Sequence, residues 1–93
     1  MPAKRAEGRV FQGKQEIGAV QYELTELTNS SGITDASGVI VLSGGRQLDE
    51  NEQYTLQLAN NSRWDFLISR SLKLSPQLNQ YFVRGAGGGI KKP

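Results

Sequence analysis

Along this chain apolar and polar residues alternate with a period of two in several short runs, separated by clusters of Gly, Asn, Asp, Ser and Pro. Side chains alternate across a strand, so such runs predict β-strands with one apolar face. The strongest signal spans residues 54–68. Tyr54, Leu56 and Leu58 share one face of a first run, and Trp64, Phe66 and Ile68 share one face of a second. The polar break Asn60-Asn61-Ser62 between them predicts a β-hairpin. A two-residue turn would place the two apolar rows on opposite sides of the ribbon. A loop of three residues (60–62) or five (59–63) places them on one side, with Leu58 opposite Trp64, Leu56 opposite Phe66 and Tyr54 opposite Ile68. Because a one-residue slip flips a strand face, burial selects the odd loop. Thr55, Gln57, Asp65 and Leu67 are then left facing outward.

The remaining runs predict further short strands. Residues 8–12 form one, with Gly13-Lys14 as its turn, and residues 15–27 form the longest. In that long run Val20, Tyr22 and Leu24 alternate with Gln21, Glu23 and Thr25, and Gly18 implies a bulge or a close backbone approach. Residues 29–37 have loop chemistry. Val39-Ile40-Val41-Leu42 is apolar on both faces, which implies a strand covered on both sides or used in a dimer contact. Gly44-Gly45 predicts a turn, residues 46–48 a segment that pairs back, and residues 49–52 an acidic connector. Ser75-Pro76 matches a helix N-cap with proline in the first helical position, so one helical turn is expected over Pro76–Asn79. A last strand covers residues 80–84, and Gly85-Ala86-Gly87-Gly88-Gly89 leads a tail.

These elements predict an all-β chain: a small, five- to six-stranded antiparallel barrel-like domain with at most one helical turn. It resembles SH3-like and OB-like barrels as a class, without a shared motif, so no functional residue carries over. The expected organisation is a flexible lead-in (1–7), a single β domain (8–84) and a Gly-rich flexible tail (85–93). A chain of 93 residues suits one domain, and one of this size buries only about two-thirds of its unfolded surface.

Composition narrows the chemistry. The chain contains neither histidine nor cysteine, which removes the commonest general base, the commonest metal ligands and any disulfide. No spacing singles out a Ser-Lys or carboxylate pair, so the protein is expected not to be an enzyme and no cofactor is expected. The cluster Asp49-Glu50-Asn51-Glu52 lacks the alternating ligands and central glycine of a calcium loop. Neither glycine-rich segment matches a phosphate-binding loop. No signal peptide or membrane span is evident, and no motif argues for a small molecule, so the expected setting is cytoplasmic.

Net charge is +2, but the charge is unevenly spread. From Arg63 onward there are six bases against the single acid Asp65, about +5, whereas five bases and eight acids precede it, about −3. Two function classes follow. The first is a protein-interaction module, with self-association into a homodimer as one route. Val39, Val41 and Leu67, apolar residues on nominally wet faces, are the candidate partner contacts. The second is a nucleic-acid-binding barrel that uses Arg63, Arg70, Lys73, Arg84, Lys91 and Lys92, with Tyr81 or Phe82 as a stacking platform. Trp64 belongs to the hairpin's inner row and is expected in the core, which weakens the second class.

Overall fold

A computed structural model of the chain describes residues 6–44 and 46–92. They form six strands: β1 (Ala6–Gln12), β2 (Gln15–Thr28), β3 (Thr34–Leu42), β4 (Gln53–Gln57), β5 (Arg63–Ser75) and β6 (Leu78–Lys91). The strands close an antiparallel barrel in the order β1-β2-β3-β6-β5-β4. Closure comes from β1 against β4, where Arg9, Val10 and Phe11 pair with Gln57, Leu56 and Thr55. The all-β barrel read from the periodicity is therefore the fold. Among the described residues no helix is long and apolar enough to cross a membrane.

The core is built from the inward members of each alternating run. Val10, Ile40, Leu42, Leu56, Trp64, Phe66 and Tyr81 are essentially fully buried. Trp64 stacks on Phe66 with ring centroids 5.5 Å apart, and Tyr54 on Phe66 at 6.0 Å. Each large side chain buried in this way contributes roughly 1.5–3 kcal/mol. The Gly18 bulge is present: Val10 pairs with Gly18 and Phe11 with Glu16, so Ile17 is the extra residue that bends β2.

The 54–68 hairpin has its expected faces and odd loop, but its register differs by two residues. Leu56 opposes Trp64 and Tyr54 opposes Phe66, leaving the five residues Leu58–Ser62 outside the ladder. A slip of two keeps every side chain on its face, so alternation cannot distinguish the two registers. Turn chemistry decides. The Leu58 carbonyl accepts from Asn61 N–H at 2.9 Å, and Leu58 N–H donates to the Ser62 carbonyl at 2.8 Å. Asn61 sits at φ 68°, a left-handed conformation that asparagine tolerates.

Four further expectations are corrected. Residues 34–37 are strand, because the β2–β3 connection is a compact turn in which the Asn29 side chain accepts from Ser31 and Ile33 N–H at 2.9 and 3.0 Å. Residues 46–48 do not pair back as a strand. Leu48 instead plugs one end of the barrel, its N–H donating to the Tyr81 hydroxyl at 2.7 Å, while Asp49 N–H donates to Tyr54 at 2.8 Å. The Gly44-Gly45 turn falls partly on a residue outside those described.

Pro76 starts no helical turn. Ser75 pairs with Leu78 across Pro76-Gln77, a two-residue turn. The fixed φ of proline suits a β-turn as well as a first helical turn, and the pairing of β5 with β6 selects the former. The glycine run of 85–89 is not a tail but part of β6, which continues until Ile90 and Lys91 pair with Trp64 and Arg63. A Cβ at Gly85 would collide with the Asp35 carboxylate, which accepts from the Trp64 indole N–H at 2.9 Å. Glycine is needed there because strand and carboxylate meet without room for a side chain.

Candidate docking surface

β3 lies between β2 and β6, so its outward residues Val39 and Val41 face the outside of the sheet rather than a second layer. They are nevertheless half-buried. The cover comes from the β5–β6 hairpin, which extends past the end of β4: β4 stops at the Gln53–Leu67 pair, while β5 runs on to Ser75. This projecting arm brings Leu74 and Leu78 beside Val39, Val41 and Ala19, and together they line a groove of about 440 Å³. Glu7, Gln21, Glu23, Ser43 and Gln80 supply its polar rim.

The arm exposes much apolar surface. Leu72 is 45%, Leu74 48%, Leu78 37% and Phe82 38% exposed. Directly opposed strand residues share a face, and Arg70 opposes Phe82 while Leu72 opposes Gln80. The outer face of the arm is therefore a patch of Leu72, Phe82 and neighbouring leucines, continuous with the groove. The sequence reading missed Leu72, Leu74 and Leu78. Leu72 and Leu74 continue the alternation of inward Trp64, Phe66 and Ile68, and only the bulge between Ile68 and Arg70 turns them to the outer face.

The predicted nucleic-acid contacts do not converge on one surface. Arg63 and Lys91 oppose each other directly on β5 and β6. The Arg63 guanidinium lies 5.7 Å from the Phe11 ring centroid, a cation–π arrangement. Arg70 opposes Phe82 and Arg84 opposes Leu67, which puts both arginines on the outer face. Lys73 opposes Asn79 on the other face of the arm, and Lys92 follows the end of β6. Tyr81 is corrected outright: it is 2% exposed, and its hydroxyl holds the Leu48 loop, so it cannot stack on a base. Burial also pushes its phenol above the ordinary value of 10.0, opposed by the hydrogen bond from Leu48. The outward aromatic of β6 is Phe82. Of the predicted partner contacts, Val39 and Val41 line the groove, whereas half-buried Leu67 lies outside it beside Arg84.

The arm itself is one-sided in charge, whereas the groove beside it carries Glu7 and Glu23. No acid follows Asp65 in the chain, and among the described residues the ion pair formed is Arg9 with Glu16 at 3.0 Å, far from the arm in sequence. Arg70, Lys73 and Arg84 thus give the arm a positive field that its own strands do not neutralise. Among the described residues no three His, Cys, Asp or Glu side chains cluster so as to hold a metal ion. The surface offers apolar contact, cationic side chains and strand backbone. No protein family, curated protein or solved structure matches this chain.

Proposed function

We propose that the protein is a non-catalytic interaction module that docks a protein partner on the outer face of its β5–β6 arm and the adjoining groove. The observation that carries this reading is the continuous apolar surface of Leu72, Leu74, Leu78 and Phe82 beside half-buried Val39 and Val41. Scattered exposed leucines are ordinary, but a contiguous apolar patch with a polar rim characterises interaction sites. The test compares the native protein with Leu74→Ser/Leu78→Ser, immobilised and exposed to extract of its native host. A partner retained by the native protein and released by the variant supports the reading, and equal retention by both overturns it. Both leucines are exposed, so the variant is expected to fold within about 0.5 kcal/mol of the native protein.

A nucleic-acid-binding barrel is the second reading, favoured by one arrangement: Phe82 lies between Arg70 across the ladder and Arg84 two residues along the same face. An exposed ring flanked by arginines suits base stacking with phosphate neutralisation. Retention on a polyanion column that disappears at moderate salt, and that Phe82→Ala/Arg84→Ala abolishes, would favour it over the first reading.

A further inference from the structure

We propose that the free edge of β5, from Ile68 to Ser75, is a strand-addition site for an extended acidic and apolar segment of a partner protein. This proposal rests on the interaction-module reading and names the chemistry of the partner. Barrel closure normally removes sheet edges, but here it stops short. β4 covers β5 only as far as Leu67, and beyond that point the ladder of β5 runs to β6 alone. Among the described residues the backbone of 68–75 bonds to no other segment. Every residue from Ser69 to Leu74 is exposed, on both faces of the arm. A row of unpaired strand N–H and C=O groups is a template for an added strand, with main-chain bonds giving affinity and alternate side chains giving specificity.

Charge identifies the occupant. A second copy could pair antiparallel about a two-fold axis, and registers centred on a residue keep the leucine rows on one face. Centring on Ser71 sets Arg70 diagonal to the Arg70 of the other copy. Centring on Leu72 does the same for Lys73, and centring on Lys73 opposes the two lysines directly. Like charges at these cross-strand positions are destabilising, and charged residues on an edge are a common guard against self-pairing. An acidic segment reverses the sign of every one of these contacts. Run antiparallel, its residues opposite Leu74, Lys73, Leu72, Ser71 and Arg70 would read apolar, acidic, apolar, polar, acidic. Its apolar side chains would extend the Leu72 and Leu74 face on the edge of β5 opposite β6.

The test uses a labelled peptide of about ten residues, a typical strand length, with the core Val-Glu-Val-Thr-Glu, and a twin with Lys in place of Glu. Anisotropy measures binding to the full chain, and amide hydrogen exchange follows Arg70 to Leu74. The acidic peptide should bind and slow exchange at the alternate amides that face the free edge. The variant Arg70→Glu/Lys73→Glu should weaken it about tenfold or more and should strengthen the basic twin. Arg70→Gln/Lys73→Gln, a milder change, should weaken the acidic peptide without recruiting the basic one. If neither peptide binds at millimolar concentration, the proposal fails. If the acidic peptide binds but ignores both charge variants and is lost in Leu78→Ser, the edge proposal fails while the interaction reading stands. A concentration-dependent dimer that Leu72→Lys disperses would assign the edge to a second copy and overturn the acidic partner. Equal partner retention by the Leu74→Ser/Leu78→Ser variant tests the underlying reading separately.

Discussion

Replacing Tyr81 with phenylalanine should destabilise the barrel through a single lost hydrogen bond. The ring stays and its packing with it, so no cavity forms. What is lost is the hydroxyl that accepts from Leu48 N–H at 2.7 Å, between residues 2% and 7% exposed. Water cannot readily replace it there, and a buried unpaired donor costs about 1–3 kcal/mol. For a domain of this size each 1 kcal/mol lowers the melting temperature by about 4–8 °C, so the variant should melt roughly 4–24 °C lower. Urea denaturation followed by circular dichroism gives the free energy directly. Tyr22→Phe is the matched control, because its hydroxyl accepts from the exposed Ala59 N–H at 2.9 Å, where water can substitute. Tyr54→Phe should fall between the two. It releases Asp49 N–H in the same loop, so a double-mutant cycle with Tyr81→Phe should show coupling of about 0.5 kcal/mol or more. A Tyr81→Phe loss below about 0.5 kcal/mol, or one equal to that of Tyr22→Phe, would refute the view that tyrosine hydroxyls pin the plug.

The same tyrosine predicts a pH dependence. Its folded pKa lies above 10.0, mainly through burial, so above pH 10 the unfolded chain loses this proton first. Stability is therefore fully present below pH 10 and declines as pH rises through the folded value, and Tyr81→Phe should remove that part of the decline in alkaline melts. Gly85→Ala should cost about 1–3 kcal/mol, since its Cβ meets the Asp35 carboxylate. The loss in an Asp35→Ala background should be smaller, and a strictly additive pair would contradict the contact. Asn61→Gly should be close to neutral and Asn61→Val should cost roughly 1–2 kcal/mol, because φ 68° penalises a β-branched residue. Equal stabilities for these two variants would rule out the left-handed turn.

Alternation along the chain was enough to establish an all-β fold, the buried faces of the 54–68 hairpin, its odd loop and the bend at Gly18. Each follows from local geometry: side chains alternate strictly, and burial tolerates only one parity. Register, strand length and cover were not legible, because none of them is a local property. A two-residue slip leaves the pattern of faces unchanged, so Leu56 rather than Leu58 met Trp64 only once the Asn61 turn was in place. The polar residues 34–37 and the glycines 85–89 have loop composition, and they are strand because neighbouring strands supply the hydrogen bonds that propensity did not promise. The candidate docking surface was least legible of all. Leu72 and Leu74 continue the alternation of Trp64, Phe66 and Ile68, and whether that row stays inward depends on the bulge between Ile68 and Arg70, which turns it to the outer face. That is a matter of tertiary pairing: the bulge puts these leucines on the outside of the molecule, and the end of β4 leaves the cationic edge of β5 free.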